Sequence, residues 1–592
     1  MSLLITAPVI IDLRVQEPAV PPGGKSVLPT PATAHMVLAG SQSHLAHLRQ
    51  APDERFPDGI TITIRPGATA EQNVQLQATV VQAVSEGDVL LASFFARCDE
   101  SMTGEGAIGI VFERADGSAS AVERRLSVGG EWRQIFVPFQ AEADFPAGTA
   151  QFCLRLGYDR QQLDIASLRV ENYGAHIPLN HLPRTVVSYP GRDASADWRS
   201  AASARIERHR KGPVQIQIRD AAGRAVPGAR VEVKQLKHSF SFGSCVDARL
   251  LMGGSSDSQH YRQVIENTFN AAVFENDMKW QALVGGVPAH TDSALAWLLE
   301  RGFFVRGHNL VWPSWRWMPR EIVALKDDPS ALKARTEHHI RSIVAHFAGK
   351  LPEWDVVNEP YSEHDLIDAL GGRQVMAHWY KLAHEADPAC KLYLNDYGIF
   401  DAGRARNEHA DHFYETIKFL KDSGAPIHGV GIQSHFSSDL PGPDDLNRTL
   451  DRFSSFGLPI QSTELSINLE DPDTQADYLR DYTTVLFAHP NVEGIMLWGF
   501  WAKRHWRPPA ALWAGDWKIR PNGQAMVDLI TKTWNTHASL TTDAAGQASV
   551  RGFYGEYSVV VQVHGRPVAS TRQTLARAAT SGPSPVWTVV LP

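Results

Sequence analysis

The chain has 592 residues, 43% of them hydrophobic, and a formal charge of −8 at neutral pH. That length predicts three or four domains. The mild negative charge argues against a nucleic-acid or anionic-membrane partner, and no apolar run of about 20 residues predicts a membrane-spanning helix.

Residues 1–175 hold short alternating segments punctuated by Gly, Pro and Asp: Ile60–Ile64, Val74–Val81, Val89–Ala96, Gly106–Phe112, Trp132–Phe139, Ala150–Leu156 and Ile165–Val170. Alternation at this spacing predicts an all-β sandwich. Residues 176–211 read as a linker with a connecting helix from Asp193 to Arg210. Val214–Asp220 and Arg230–Lys234 then read as two strands joined by a turn at Gly223–Ala229.

From 238 to 535 the pattern changes to α/β. Eight short apolar runs end in polar or aromatic residues: His238–Ser244, Phe269–Asn276, Phe303–Trp312, Glu353–Glu359, Lys391–Tyr397, Gly429–His435, Pro459–Glu464 and Gly494–Gly499. Amphipathic stretches separate them, among them Asp257–Thr268, Pro329–Phe347, Arg373–Ala386 and Thr474–His489, with Gly302, Gly349, Gly424 and Gly457 where helices stop. Strand and helix alternating eight times predicts a closed (β/α)8 TIM barrel, whose site forms where the strands end. After it, Ala538–Thr541, Gln547–Phe553 and Tyr557–Val563 read as strands. Neither flank buries a core alone, so 212–237 and 536–592 are expected to form one small β-sandwich split around the barrel.

Two barrel segments end in a carboxylate, Trp354-Asp-Val-Val-Asn-Glu359-Pro360 and Ser462-Thr-Glu464-Leu-Ser466. Two carboxyl groups converging on one cleft point to glycosidic-bond chemistry, and Asn358 beside Glu359 is placed to hydrogen-bond a sugar 2-hydroxyl. Nine of the 16 tryptophans (Trp280, Trp312, Trp315, Trp317, Trp498, Trp501, Trp506, Trp513 and Trp517) fall at or just beyond strand ends, where indoles stack on pyranose faces. Two or three of these are expected to serve packing instead.

The segments Phe269-Asn-Ala-Ala-Val-Phe-Glu275-Asn276-Asp-Met278-Lys279-Trp280, Arg306-Gly-His308-Asn-Leu-Val-Trp312, Trp354 to Pro360, Leu394-Asn395-Asp396-Tyr397, Gly431-Ile-Gln433-Ser-His435 and Thr463-Glu464-Leu465 resemble, in order, the motifs of glycoside hydrolase family 10. The family consists of retaining endo-β-1,4-xylanases. The resemblance implies that Glu359 is the general acid/base and Glu464 the nucleophile. It implies that Glu275, Asn276 and Lys279 bind glycone sugars and that Trp498 and Trp506 shape the floor and wall. His308, Trp312, Tyr397, Gln433 and His435 stand inside the matching motifs and complete the expected substrate-binding set.

Three positions depart from the family pattern. Pro313-Ser314-Trp315 replaces the usual His-Ser-Gln, Ser466 replaces an Asp thought to hold the histidine matching His435, and Ala502 replaces another Asp. The expected activity is hydrolysis of xylan. The alternatives are a hydrolase of another β-linked plant glycan or decorated oligosaccharide, or a weakly active polysaccharide-binding protein. Around Val89–Arg97, Glu131–Phe139 and Leu163–Val170 the first domain also resembles the jelly-roll carbohydrate-binding modules attached to xylanases. The other reading of that domain is a sandwich that only packs against the catalytic domain.

The expected partner is a xylan-like polysaccharide or oligosaccharide, met by a monomer without nucleic acid or membrane. No metal or cofactor is called for, since the pairs His409/His412 and His44/His47 lack acidic or cysteine partners at zinc-site spacing. Cys98 and Cys153 are candidates to pair, Cys245 and Cys390 fall near separate barrel strands, and buried thiols are the default for all four. Met1–Thr6 lacks the basic and apolar regions of a signal peptide. The substrate nonetheless suggests a secreted or periplasmic enzyme whose leader is missing from this sequence, with the cytoplasm left open.

Overall fold

The computed structural model describes residues 20–592 apart from 69, 102–105, 159, 186, 401–406, 438–439, 470 and 578–583, so Met1–Thr6 lies outside the described residues. The chain divides into two compact units, with Val187–Pro592 forming the second.

The first unit is a pair of antiparallel sheets. One runs in the order Ala46–Gln50, Ile60–Ile64, Gln161–Asn172, Val89–Ser101 and Arg133–Gln140, with Lys25–Ser26 added beside Gln161–Asn172. The other runs Val37–Ala39, Gln75–Thr79, Ala150–Arg155, Gly106–Arg114 and Ser120–Val128. Inward residues of both, including Ile62, Leu90, Phe94, Ile110, Phe112, Phe152 and Leu154, share one core, as period-two alternation requires when two sheets face each other. Ser120–Val128, which the apolar pattern passes over, is an edge strand of sequence SAVERRLSV; its charged residues suit a strand with one unpaired edge. All four cysteines are free and buried. Cys98 and Cys153 sit in different sheets and form no disulfide.

The second unit starts with the helix Trp198–His209, which leads into Lys211–Arg219. That strand lies between Gln547–Phe553, antiparallel to it, and Val586–Val590, parallel to it. Arg230–His238 lies between His537–Thr541 and Gly555–Val563, and the last of these pairs with Arg566–Leu575. Val214, Ile216, Ile218, Val231, Val233, Tyr557, Val559 and Trp587 form the core between these two sheets. Strands from before and after the barrel thus interleave in the same sheets.

Between these flanks eight parallel strands close on themselves: Ser241–Val246, Ala271–Phe274, Phe304–Gly307, Glu353–Asn358, Lys391–Asp396, Gly429–Ile432, Ile460–Ile467 and Val492–Leu497. Val492–Leu497 pairs with Ser241–Val246 to complete the ring. The (β/α)8 fold expected from the alternation is present. Helices such as Ser256–Thr268, Pro329–Phe347 and Pro472–Ala488 start at Ser255, Asp328 and Asp471, whose side chains each accept a backbone N–H of the first turn. Among the described residues no helix is long and apolar enough to cross a membrane.

Candidate active site

Glu359 is the first residue past the fourth barrel strand and takes a left-handed backbone conformation, φ 56°. A non-glycine residue held there marks a position that the surrounding structure over-determines, as functional sites often do. Three donors converge on its carboxylate. Gln433 Nε2 lies 2.7 Å and Asn358 Nδ2 3.0 Å from Oε1, and Trp312 Nε1 lies 3.1 Å from Oε2. Loss of hydration and the neighbouring Glu464 charge push the Glu359 carboxyl up to about 8, with the Gln433 hydrogen bond working in the other direction.

Glu464 lies inside the seventh strand and is 4% exposed. Asn395 Nδ2 donates to its Oε1 at 2.8 Å, His308 Nε2 is 3.9 Å from Oε1, and His435 Nε2 is 3.4 Å from Oε2. Burial raises the Glu464 carboxyl above its usual range, while His308, Lys279 and the Asn395 amide pull it back. Both carboxyls are raised by burial; Glu359 also feels the Glu464 charge, whereas at Glu464 the nearby Lys279 cation works against the rise. Asn395 Nδ2 also donates to Asn358 Oδ1 at 2.8 Å, so two amides bridge the two carboxylates.

Beneath the pair runs a buried charged column. His308 Nδ1 is 2.9 Å from Asp355 Oδ2, Asp355 also pairs with Arg306, and Arg306 Nη1 is 2.6 Å from Glu353 Oε1. Gln461 Nε2 closes the far end on Glu353 Oε2 at 2.9 Å. These side chains come from successive layers of the third, fourth and seventh strands, and each buried charge has an opposite partner, without which its burial would be costly.

The remaining expected residues surround this centre. Lys279 Nζ lies 5.0 Å from the Trp312 ring centroid and 5.9 Å from that of Trp498, and donates to exposed Asn276 at 3.1 Å. Burial raises the Glu275 carboxyl and Lys279 offsets that rise. Trp498 meets His308 edge-on at 5.0 Å, and Trp506, 46% exposed, meets His435 at 4.7 Å. Trp312 stacks on Trp317 at 4.6 Å. Tyr397 donates to Ser362 Oγ at 2.8 Å and packs edge-on against His409. Trp280, Trp501 and Trp513 are buried, Trp280 stacked on His339 and Trp501 on Trp517.

The family model described as Glycosyl hydrolase family 10 matches residues 233–529. This chain belongs to glycosyl hydrolase family 10. The Beta-1,4-xylanase of Dictyoglomus thermophilum is 32% identical over 265 residues, 42% of this chain and 69% of its own length. Endo-1,4-beta-xylanase 1 of Arabidopsis thaliana is 30% identical over 358 residues, 60% of this chain and 36% of its own. The Anti-sigma-I factor RsgI6 of Acetivibrio thermocellus is 32% identical over 374 residues, 62% of this chain and 47% of its own. The chain thus spans less than half the length of the latter two relatives.

Within this family 10 barrel, Asn395, Asp355, Arg306 and Glu353 are site residues that the sequence reading gave no role. Their signal was a polar residue inside an otherwise apolar strand, as in Leu394-Asn395-Asp396 and Trp354-Asp355-Val356. At the three divergent positions, Ser466 Oγ sits 2.8 Å from His435 Nδ1, Pro313 offers its carbonyl to Leu366 N at 3.0 Å, and Ala502 donates its N–H to Trp513 O at 2.9 Å. Burial, with Arg507 adding to it, holds the His435 imidazole well below its ordinary value. Among the described residues no group of three or more His, Cys, Asp or Glu side chains is arranged to hold a metal ion.

Proposed function

We propose that this chain is a retaining glycoside hydrolase that cleaves internal β-1,4-xylosidic bonds of xylan, with Glu359 as general acid/base and Glu464 as nucleophile. The observation that carries this reading is the pair of buried carboxyls: burial raises both, Glu359 up to about 8, and at Glu464 His308, Lys279 and the Asn395 amide work against the rise. In the first step the Glu464 carboxylate attacks the anomeric carbon while Glu359 gives its proton to the leaving oxygen. Glu359 has then spent its proton on the leaving group, and esterification removes the Glu464 charge, the largest contributor after burial to the high Glu359 value, so Glu359 stays ionised. As a carboxylate it then accepts a proton from the water that releases the sugar. Asn358 uses one amide N–H on Glu359 and keeps the other for a sugar 2-hydroxyl.

The two relatives named xylanases support this choice of substrate. Residues 1–175 are read as a carbohydrate-binding-module-like sandwich, 176–211 as a linker with a connecting helix, 238–535 as the catalytic barrel, and 212–237 with 536–592 as a split sandwich. A second reading, a polysaccharide-binding protein with little turnover, draws on Pro313, Ser466 and Ala502 and on the relative whose name describes a regulator. Reducing ends released from xylan, with proton NMR of the newborn anomer, separate these readings. A β-anomer supports retention and an α-anomer refutes it. Silence on xylan with turnover of another β-glycan refutes the substrate, and silence on all of them with retained binding favours the second reading.

A further inference from the structure

The floor of the barrel, where the strands begin, carries a second polar site that the proposed chemistry does not use. A cavity of about 290 Å³ lies between strand starts and the small split sandwich, with Glu353, Lys391 and Glu493 on the barrel side and Tyr554 and Arg577 on the sandwich side. Arg210, which follows the connecting helix, lines the same cavity and is 6% exposed. Three backbone carbonyls fix its guanidinium: Nε donates to Phe487 O at 2.6 Å, and Nη2 donates to His489 O at 2.5 Å and Val492 O at 2.7 Å. Two of these carbonyls belong to the C-terminal end of helix Pro472–Ala488 and its cap, where a cation is favoured. Its Nη1 has no hydrogen-bond partner among the described residues.

The charges facing the cavity do not balance. Glu353 is held by Arg306 at 2.6 Å, and Glu493 lies 3.6 Å from Lys391. Among the described residues no carboxylate forms an ion pair with Arg210 or Arg577; the Glu493 charge reaches Arg210 but is shared with Lys391, and exposed Arg577 donates Nη1 to Pro490 O at 3.5 Å. Burial and the Arg577 charge pull the Arg210 guanidinium down to about 9 against the opposing Glu493 charge, and burial with the surrounding arginines also lowers His209. A buried cation in this state is costly unless something neutralises it.

We propose that this cavity binds a small oxyanion of inorganic-phosphate size, held between Arg210 Nη1 and the Arg577 guanidinium. Guanidinium forks match phosphate geometry. The volume sits at the small end of ligand pockets, with room for a phosphate and too little for an oligosaccharide. Bound there, the anion bridges the connecting helix, the barrel floor and the sandwich, and so stabilises their junction.

Thermal unfolding of the full chain tests this, with sodium phosphate replacing sodium chloride at fixed ionic strength. Phosphate also stabilises proteins generally by exclusion from their surface, so Arg577→Gln, a change at an exposed side chain, supplies the reference. The wild type should show a saturable rise in Tm that follows occupancy, with half-saturation weaker by about tenfold or more in the variant, as loss of a charged hydrogen bond implies. The phosphorus-31 resonance of phosphate should broaden with the wild type and much less with Arg577→Gln. If glucose 6-phosphate acts equally, the site takes a phosphate monoester end; if only inorganic phosphate acts, it takes the free ion. A non-saturating rise shared by wild type and variant, or no broadening with the wild type, overturns the proposal.

Discussion

Asn395 holds Glu464: its side-chain Nδ2 lies 2.8 Å from Glu464 Oε1, while its Oδ1 accepts from Thr463 Oγ1 at 2.6 Å. Thr463 therefore fixes which end of the amide faces the carboxylate. Because the bond favours the anion, Asn395→Ala should lower kcat/KM by roughly 10- to 100-fold, the range expected for a hydrogen bond to a charged group. It should also move the acidic limb of the kcat/KM profile to higher pH, since Glu464 would hold its proton longer. A fall in rate with an unmoved acidic limb would mean that Asn395 only positions Glu464 or the sugar.

Gln433 predicts the opposite limb. Its Nε2 donates to Glu359 Oε1 at 2.7 Å and stabilises the ionised form, yet the Glu359 carboxyl still sits near about 8. A general acid works below its own pKa, so the alkaline limb of kcat/KM in the wild type should fall near pH 8. Gln433→Ala removes a donor to the anion and should shift that limb upward by roughly one unit. A downward shift would assign the limb to another group.

The two carboxylates should also separate by substrate. Glu464→Ala should reduce turnover by several orders of magnitude on every substrate, because no covalent intermediate can form. Glu359→Ala should spare the first step for aryl glycosides with good leaving groups, and azide should restore turnover by attacking the glycosyl-enzyme without a base. Kinetics on aryl xylosides of graded leaving-group pKa, with and without azide, decide the roles. Azide rescue of Glu464→Ala that yields the retained β-glycosyl azide would exchange them, because azide replacing a missing nucleophile inverts the anomeric centre.

What was legible in the sequence follows from how a parallel barrel buries its strands. Both faces of Glu353–Asn358 and Ile460–Ile467 are covered, so each reads as a short apolar run, and the carboxylates at or near their ends stand out. Asp355 and Arg306 did not stand out as partners, because only closure of the ring brings side chains from separate strands into one column. The polar strand Arg566–Leu575 escaped for a different reason. It is an edge strand whose outward face is charged and polar, so its alternation is weak. Trp501 and Trp513 follow the same sequence signal as Trp498 and Trp506, and only their neighbours in the fold separate them: Trp501 stacks on Trp517 and Trp513 meets Phe500, while Trp498 and Trp506 meet His308 and His435.

Truncation after Trp534 should destabilise what remains. Lys211–Arg219 would lose both of its strand neighbours, and Val214, Ile216, Val231 and Val233 would lose Tyr557, Val559 and Trp587 from their shared core. Each buried residue of this size contributes about 1.5–3 kcal/mol, and for a domain of this size 1 kcal/mol moves Tm by roughly 2–4 °C. The truncated chain should therefore precipitate or melt well over 10 °C lower. A soluble truncation with unchanged Tm would show that the barrel stands without the sandwich.

The last prediction concerns Ser466, whose Oγ lies 2.8 Å from His435 Nδ1 while His435 Nε2 lies 3.4 Å from Glu464 Oε2. The groups facing His435 include Glu464, Ser466, His505, the Trp506 ring and the Arg507 charge, and burial with Arg507 keeps the imidazole neutral at ordinary pH. A neutral imidazole gives Glu464 no positive charge. Ser466→Asp would place a second carboxylate on the other ring nitrogen, so the histidine would lie between two anions and its pKa should rise by one to three units. If His435 then carries a proton at neutral pH, Glu464 ionises more easily and the acidic limb of kcat/KM should move down by on the order of one unit. If His435 stays neutral, the new carboxylate repels Glu464 and the same limb moves up. The sign of that shift, read alongside the His435 Cε1 proton titration by NMR in a variant with unchanged circular dichroism, decides between them. A limb that moves up, or does not move, would show that a carboxylate at position 466 cannot charge this histidine here.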